Sequence, residues 1–396
     1  MSKSYHAFHA GDWQAGQPSS AAVRAGDLLF VAGQVGLDDA GRPVAADAAG
    51  QARAALGRVK AAVEAAGGSL ADVIDVMSFH RDPREIDEVL AVAREVLGDN
   101  RPAWTAVGSS GLQRPDIAVS VRALAHLGAD EKICVATPAC AWMDGLPMSA
   151  ACRKGDIMVT SGLLALDPAG MVVAPGEHYA QVRYCYDRLK EVIAAGGGQL
   201  NDVIDVICFN HDFRGMEATV STWCAEIVPN IATAQANAYT LIATTGLMRH
   251  GLVGAYRAIL DLSDGPRVAT NLPSVHWHAE PIAGATRKKG GRLVAISGQV
   301  ASDGDANIVA RGDVAAQAHY CFSQIRGVLE KHGASLADVV EIVSYHKDPR
   351  AWETVMAVGR ELFKEGAEPA WTTVGCTGLF LEGYLHEIYA MAVLDD

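Results

Sequence analysis

The chain has 396 residues, half of them hydrophobic, so it is long enough for several domains that each bury a core. A formal net charge of −13 argues against nucleic acid or an anionic membrane as the main partner. We find no apolar run long enough to span a membrane and no apolar signal region at the first residues, so we expect a cytoplasmic protein.

One sequence motif occurs three times along the chain. It starts at Asp72, Asp202 and Asp338, and every copy continues with an apolar run and ends in Asp-x-Arg. The copies lie about one ordinary domain length apart, which is typical of a repeated domain. We therefore predict three homologous domains, with boundaries at residues 1–129, 130–265 and 266–396.

Each copy predicts the same order of elements. An irregular lead with one tryptophan (Trp13, Trp142 or Trp277) precedes a short strand that is bounded by glycine and rich in Val, Ile and Leu. A helix follows, which in the first copy places apolar residues at helical spacing between Gln51 and Ala66. The motif strand, a second helix and two further strands complete a β-β-α-β-α-β-β unit.

Two amphipathic helices over one face of a mixed sheet make an α+β layer, whose other face must also be buried. Three such units could be separate beads, a linear array or a closed ring. We favour the ring, because closing three copies about a pseudo-threefold axis buries the helix-free faces without leaving a free end. Whether this single-chain pseudo-trimer pairs further as a homo-oligomer stays open.

The eight cysteines are distributed unevenly, with none in the first copy, six in the second and two in the third. A disulfide framework or a structural metal would be expected to repeat with the fold, and there is no Cys-x-x-Cys motif. We interpret the cysteines as reduced thiols that mostly fill the core, and we predict no metal.

Three short segments carry a resemblance to a known family. They are the Ser-Gly-Gln-Val turn at Ser297, the Pro-Ala-x-Thr strands at Pro102 and Pro369, and the strand that begins at Glu387. Their shared order, repeated three times, resembles the Rid family (YjgF-type, reactive intermediate deaminases). The resemblance implies three fused chorismate-mutase-like domains with clefts between neighbours, hydrolysis of enamines and imines to ketones and ammonia, and no metal or organic cofactor.

The chain departs from the family at the position of an arginine that grips the substrate carboxylate. Trp104, Tyr239 and Trp371 stand there. We expect these rings to line the clefts and stack on a flat or apolar substrate, with extra core packing as the alternative. Two residues further on, the third copy has Thr373, which we also expect in a cleft as a substrate-binding residue.

The glutamate that the family associates with the attacking water matches Glu387 alone, since its counterparts are Ser120 and Ala255. A carboxyl in a poorly hydrated cleft has a raised pKa and can activate water, although a purely structural role is the alternative. His80 and His346 end the motif strand, where the resemblance implies a cleft position. A histidine there can shuttle protons near neutral pH, and a hydrogen-bonded structural histidine is the alternative.

Arg84, Arg214 and Arg350 recur in all three copies. A guanidinium group binds a carboxylate through two parallel hydrogen bonds, so we predict that these arginines replace the lost one in holding an anionic substrate. The alternative is a surface arginine in the first turn of the second helix.

Together these residues predict a hydrolytic deaminase of an enamine, an imine or a related small anionic C–N intermediate, acting in a cleft between domains. Glu387 would be the base, Arg84 or Arg350 would hold the anion, and His80 or His346 would protonate the leaving amine. Two alternatives stay open: a small-molecule binding or regulatory protein without turnover, and hydrolysis of an enol ether in the same cleft.

Overall fold

A computed structural model describes residues 4–6, 17–212, 214–227, 237–275 and 282–394 of the chain. Trp13 and Trp277 of the predicted leads lie outside these ranges. The described residues form three successive units, each a mixed sheet packed against two helices.

The first unit contains β1 (Ser4–His6), β2 (Ala22–Ala25), β3 (Leu28–Val35), α1 (Ala48–Ala65), β4 (Val73–His80), α2 (Ile86–Leu97), β5 (Ala103–Gly108) and β6 (Val119–His126). The second contains β7 (Ile133–Val135), β8 (Ala151–Lys154), β9 (Ile157–Thr160), β10 (Leu163–Leu164), α3 (His178–Ala195), β11 (Val203–Asn210), α4 (Arg214–Thr222), β12 (Ala238–Ala243) and β13 (Gly254–Asp261). The third contains β14 (Arg267–Thr270), β15 (Ala285–Lys288), β16 (Leu293–Gln299), α5 (Val314–Lys331), β17 (Val339–His346), α6 (Trp352–Leu362), β18 (Ala370–Gly375) and β19 (His386–Val393).

The three sheets share one topology. The first has the order β1-β2-β3-β6-β4-β5 and the third has the order β14-β15-β16-β19-β17-β18. The second repeats it as β7-β8-β9-β13-β11-β12, with the short β10 added beside β13. In each sheet the motif strand (β4, β11 or β17) pairs in parallel with the edge strand that follows the second helix, and its other neighbour is antiparallel. The predicted α+β class with mixed sheets is confirmed.

The helices form where the periodicity placed them. In α1 the Asp47 side chain caps the first turn by accepting from the Gly50 N–H at 2.6 Å, and its buried residues include Ala55, Leu56 and Val59. All eight residues of each motif strand are buried, so both faces of the strand are covered. Among the described residues, none of the helices has the length and apolar character needed to cross a bilayer.

Three equivalent contacts close the units into a ring. Each one joins the start of an edge strand to the next unit through a short parallel bridge, at Ala103–Ser149, Ala238–Ala283 and Ala370–Ser20. In each case a backbone N–H donates to a carbonyl of the neighbour at 3.1 Å, from Ser149 to Pro102, from Ala283 to Asn237 and from Ser20 to Pro369. Since the last contact returns from the third unit to the first, the predicted single-chain pseudo-trimer is confirmed.

Ion pairs strengthen two of the three contacts between units. Lys154 Nζ lies 2.6 Å from Asp72 Oδ1, and Lys288 Nζ lies 2.8 Å from Asp202 Oδ1. The first unit has Ala25 at the position of these lysines. The contact between the third and first units is therefore built without that lysine. We call the contact region between two neighbouring units a seam, and the three seams are thus not chemically equivalent.

The motif strands meet at the pseudo-threefold axis. The rings of Phe79, Phe209 and Tyr345, one from each unit, contact one another edge to face with centroids 6.1 to 6.4 Å apart. Such edge-to-face contacts are favourable beyond the apolar area they bury. The helix-free faces of the three sheets thus share one core.

Charged side chains are buried beside this aromatic cluster. Asp75, Asp205 and Glu341 occupy the same position of the three motif strands, and two arginines from the neighbouring antiparallel strands face them. Arg122 contacts Asp75 at 3.0 Å and Glu341 at 2.7 Å, while Arg257 contacts Asp75 at 2.5 Å. A buried cluster of this kind is stable only while opposite charges are paired.

The third unit has a tyrosine where the other two have an arginine, so three carboxyls share two guanidinium groups. Tyr389 donates its hydroxyl to Asp205 Oδ2 at 3.0 Å. Burial raises the pKa of Asp205 to about 7, against the lowering effect of Arg257, and burial also raises the pKa of Glu341. Below about pH 7, one proton on Asp205 therefore balances the cluster.

Asp205→Asn removes the carboxyl whose pKa folding raises. The folded protein keeps the Asp205 proton up to about pH 7, whereas the unfolded chain releases it near 3.8, so this group's stabilising contribution is lost as the pH rises through that window. We expect the free energy of unfolding of the variant, relative to wild type, to rise by at least ~1 kcal/mol between pH 5 and pH 8 in urea denaturation. Asp75→Asn is the contrasting control, because it removes the acceptor of both arginines and should destabilise at every pH. A pH-independent difference for Asp205→Asn would contradict the assignment.

Candidate active site

The seams between units are built around a glycine that comes close to the neighbour's edge strand. Gly33 N–H donates to Thr372 Oγ1 at 2.8 Å, and Gly298 N–H donates to Thr240 Oγ1 at 2.9 Å. At the third seam Gly162 N–H donates to the carbonyl oxygen of Trp104 at 3.2 Å. A side chain at any of the three glycines would collide with the partner unit or with the adjacent strand.

Hydroxyl groups complete each seam. Ser161 and Ser297, which directly precede two of these glycines, accept the backbone N–H of Trp104 and Tyr239 at 2.8 and 2.7 Å. The first unit has Ala32 at this position, and Ser19 Oγ accepts the Trp371 N–H there at 3.3 Å. The edge strands thus have their outer backbone groups satisfied by the next unit, which fixes the walls of each seam.

The seam between the second and third units contains Glu387. Its side chain is buried, lies against Gly298 and accepts a hydrogen bond from the Leu241 N–H of the neighbouring unit. Burial raises the pKa of Glu387 to about 8, with the Leu241 N–H acting in the opposite direction. At pH 7 the carboxyl is therefore mostly protonated, so it can give up a proton and afterwards accept one.

The seam between the third and first units has a different chemistry. A small cavity there is lined by Gly33, Val35, Leu112, Gln113, Ser120, Thr372 and Thr373. Ser120 occupies the position that corresponds to Glu387, and the Thr373 hydroxyl is buried without a hydrogen-bond partner among the described residues. These lining residues are polar or apolar but not titratable, so none of them can transfer a proton.

The seam between the first and second units is apolar at the same two positions. Ala106 corresponds to Thr373, and Ala255 corresponds to Glu387 and Ser120. The short strand β10 covers Ala255 from the side, because Leu164 pairs with it. Of the three seams, the structure gives only the one between the second and third units a buried carboxyl at this position. Glu387 and Thr373, each predicted to lie in a cleft, lie at two different seams.

The aromatic residues at the lost arginine position do not open into the seams. Trp104 and Trp371 are 1% and 2% exposed, and each donates its indole N–H at 2.9 Å to the hydroxyl of Ser78 or Ser344. Trp371 packs edge to face against Phe322 and Phe363. Tyr239 is also buried and contacts the Tyr186 hydroxyl at 3.0 Å. The predicted stacking on substrate is therefore not supported: the rings turn back into the core of their own unit, because the strand's alternation directs them under the helices.

The two histidines belong to the same buried networks. His80 Nε2 lies 2.8 Å from Ser78 Oγ, and His346 Nε2 lies 2.9 Å from Ser344 Oγ. Burial lowers the pKa of each imidazole to about 3, so both rings are neutral at physiological pH. We correct their predicted role in proton transfer to a structural one, since a neutral ring in a Trp-Ser-His chain holds the strand and the tryptophan in place.

The three arginines also need correction. The side chains of Arg84, Arg214 and Arg350 are 88%, 83% and 91% exposed. Each pairs with the aspartate two residues before it, and that aspartate caps the backbone N–H of the same arginine. The predicted clamp for an anionic substrate is not supported, because the guanidinium groups point into solvent beside their own cap.

Sequence reasoning missed the seam threonines and serines. Thr240 and Thr372 follow the aromatic position by one residue in Ala-(Tyr/Trp)-Thr, and Ser161 and Ser297 precede a glycine. The recurrence of both small motifs was a usable signal. What they bind could not be read from the chain, because each hydroxyl finds its partner on another unit.

The family model described as Endoribonuclease L-PSP matches residues 12–127, 145–252 and 285–394, one match for each unit. The chain belongs to the endoribonuclease L-PSP family. The predicted resemblance to the Rid, or YjgF-type, proteins is thereby confirmed.

Curated members of this family match single units. The RutC family protein YjgH of Escherichia coli K12 is 42% identical over 104 residues, which is 26% of this chain and 79% of that protein. The 3-aminoacrylate deaminase RutC of Acinetobacter baylyi is 33% identical over 111 residues, or 28% of this chain and 87% of that protein. Each relative thus has the length of about one unit.

A solved structure aligns with most of the chain rather than with a single unit. A chorismatase structure aligns with 82% of this chain and 93% of its own, with a TM-score of 0.52 and 16% identity. At this identity the similarity concerns the fold alone. It covers most of the fused chain, whereas the curated relatives cover single units.

Gly298→Ala tests whether Glu387 is seated against the glycine of the seam. An added methyl carbon would lie 1.9 Å from Glu387 Oε1, so we expect a loss of about 1–3 kcal/mol in the free energy of unfolding, measured by urea denaturation. Gly57→Ala is the matched control, because that glycine sits in the exposed middle of α1 with no neighbouring atom within 4 Å. It should stabilise the protein by roughly 0.5–1 kcal/mol. Equal stability of Gly298→Ala and wild type would show that the carboxyl is seated elsewhere.

Proposed function

We propose that this protein is a hydrolytic deaminase of small enamines or imines, and that the seam between the second and third units is its working cleft. The observation that carries the proposal is the buried, mostly protonated carboxyl of Glu387, placed where two units meet. The similarity of one unit to a relative named 3-aminoacrylate deaminase supports the reaction class.

The mechanism follows from the protonation state of Glu387. In its neutral form the carboxyl donates its proton to the enamine β-carbon, which converts the enamine into an electrophilic iminium ion. The resulting carboxylate, stabilised by the Leu241 N–H, then accepts a proton from water as the water oxygen bonds to the iminium carbon. Transfer of the hydroxyl proton of the carbinolamine to its nitrogen breaks the C–N bond, which releases ammonia and leaves a carbonyl product.

The proposed substrate is small, because the seam walls leave Glu387 buried between Gly298 and Leu241. A negative charge on the substrate is compatible with this site, since the protonated carboxyl does not repel it. The solvent-facing arginines are not part of the proposal.

A binding protein without turnover is the second candidate, and the seam between the third and first units favours it. The small cavity there is lined by Ser120, Thr373 and Gln113 with no titratable group among its lining residues, and the buried Thr373 hydroxyl lacks a hydrogen-bond partner among the described residues, which a ligand would supply. Both activities are compatible in one chain, because fusion lets each seam have its own residues. Enol-ether hydrolysis would use the same neutral carboxyl as a proton donor and is distinguished by its product, which contains no ammonia.

Glu387→Gln should lower the rate of ammonia release from a freshly generated enamine by at least ~100-fold, because an amide cannot transfer the proton. The ring should stay folded, which circular dichroism and thermal unfolding would check. Ser120→Ala, at the corresponding position of another seam, is the matched control and should keep the rate within about twofold of wild type. Arg350→Met, on the surface, should leave the Michaelis constant unchanged.

Three results would overturn parts of this account. An unchanged rate for Glu387→Gln would remove the catalytic role of that seam. A large loss in Ser120→Ala would move the reaction to the seam between the third and first units. A tenfold higher Michaelis constant for Arg350→Met with an anionic substrate would restore the arginine clamp that the exposed side chains argue against.

A further inference from the structure

Two cysteines face each other on the first hairpin of the second unit, away from Glu387. Cys134 is the middle residue of β7 and is paired directly with Cys152 of β8 in antiparallel register. Directly opposite residues of an antiparallel pair have Cα atoms about 4.5–5.5 Å apart, within the range that a disulfide bridges. The backbone of the hairpin thus already holds the two side chains at a suitable separation.

The corresponding hairpins of the other units show that this pair is particular to the second unit. In the third unit the residue opposite Thr286 is Ala269, and in the first the residue opposite Val23 is Tyr5. The two thiols are therefore not a requirement of the fold. Both stand where the other two units of this chain have other residues, so their pairing calls for an explanation of its own.

The two thiols differ in burial and in pKa. Cys134 is half-buried, whereas Cys152 is fully buried. The interaction with the Cys152 thiol lowers the pKa of Cys134 to about 6, and the nearby Lys132 and Ser149 act in the same direction. The pKa of the Cys152 thiol is raised by Cys134 and by burial. At neutral pH Cys134 is thus the nucleophilic thiolate, and Cys152 keeps its proton.

A small cavity gives access to the more reactive sulfur. Its lining includes Arg101, Cys134, Cys140, Met148 and Ser149. In its protonated form Cys134 donates to the Arg101 carbonyl oxygen at 3.2 Å, which orients the sulfur at this cavity. Cys140 shares the cavity, but burial raises the pKa of its thiol, so it stays protonated and far less reactive.

We propose that Cys134 and Cys152 form a peroxide-responsive thiol pair, with Cys134 as the attacking sulfur and Cys152 as the resolving one. The oxidant is hydrogen peroxide or another small hydroperoxide. The Cys134 thiolate attacks one peroxide oxygen, the O–O bond breaks, and the hydroxide that leaves takes up a proton to become water. The product at this stage is the sulfenic acid of Cys134.

The second step closes the disulfide. The Cys152 sulfur attacks the Cys134 sulfur, the S–O bond breaks, the S–S bond forms, and the Cys152 proton leaves with the hydroxyl as a second water. Overall, two thiols and one hydrogen peroxide give one disulfide and two waters. The bond links β7 to β8 and closes a loop that contains the turn of 3₁₀ helix at Pro138–Met143.

The test uses the full-length protein and a small excess of hydrogen peroxide at pH 7, followed by digestion with trypsin and a protease that cleaves before aspartate. Cleavage after Lys132 and Arg153 and before Asp144 separates residues 133–143 from residues 144–153. We expect these two peptides to be linked with the loss of two hydrogens under non-reducing conditions, and to separate on reduction.

Three serine variants show which sulfur attacks the peroxide and which one closes the disulfide. Cys140→Ser is the matched control from the same cavity and should keep the link, whereas Cys134→Ser should abolish it. Cys152→Ser should stop at a sulfenic acid on Cys134 that dimedone captures, and circular dichroism would check that each variant is folded. The proposal is overturned if the Cys134→Ser protein links as well as wild type, if Cys140→Ser abolishes the link, or if wild type gives no linked peptide.

Discussion

Each unit of this protein leaves one strand at the edge of its sheet, and the next unit covers that edge. The backbone groups of β5, β12 and β18 are satisfied by serine hydroxyls and by backbone groups across the seam. An uncovered edge would expose unpaired N–H and C=O groups and would invite aggregation. The need to cover three edges at once is met by the closed ring, and everything else in the structure follows from that closure.

Closure has a cost at the centre, because it brings the motif strands of all three units together. Asp75, Asp205 and Glu341 are removed from water at the same time. Arg122 and Arg257 compensate two of the charges, and a proton on Asp205, whose pKa burial raises against the hydrogen bond from Tyr389, compensates the third. A symmetric homotrimer would place the same residue at this position three times. Fusion into one chain permits two arginines and one tyrosine, and with them a proton in the place of a third cation.

The same freedom distinguishes the seams. At one structural position the chain has Ser120, Ala255 and Glu387, and at the facing position it has Thr373, Ala106 and Leu241. The seam between the second and third units therefore combines the Glu387 carboxyl with the apolar Leu241. The seam between the third and first units combines two hydroxyl groups, and the seam between the first and second units has only alanines at these positions. Burial raises the pKa of Glu387 to about 8 although the Leu241 N–H acts in the opposite direction, so the carboxyl is mostly protonated at neutral pH.

Much of the fold was predictable from the sequence, because three copies of one pattern fix the elements and their order. The α+β class, the family and the ring follow from hydrophobic periodicity and from repetition, and each sheet lies inside one predicted domain range, although the boundaries themselves stay predictions. Arg84 was assigned to a cleft because the start of a capped helix and the wall of a cleft look alike in the sequence. In both cases polar residues follow a strand. Trp104 was misassigned because strand alternation does not tell which face meets the helices.

Residues that depend on contacts between units were the hardest to predict. Nothing in the sequence separates Glu387 from Thr373, which lie on two strands of one sheet but face different neighbouring units. Which neighbouring unit each residue faces is decided by the direction in which the units follow one another around the ring. That direction is a property of the assembled backbone. The buried charges were missed for the same reason, since Asp75 finds Arg257 only when the second unit closes on the first.

The central claim is that ring closure buries a protonated carboxyl at the seam between the second and third units. Its most direct test is a ¹³C NMR titration of the carboxyl carbons in protein labelled at glutamate, with Glu387→Gln used to assign the signal. The account predicts one resonance that is absent from the variant and titrates near pH 8, well above the ordinary glutamate range. A Glu387 resonance that titrates near 4.5 would show a hydrated carboxylate and would contradict both the closed seam and the chemistry proposed for it.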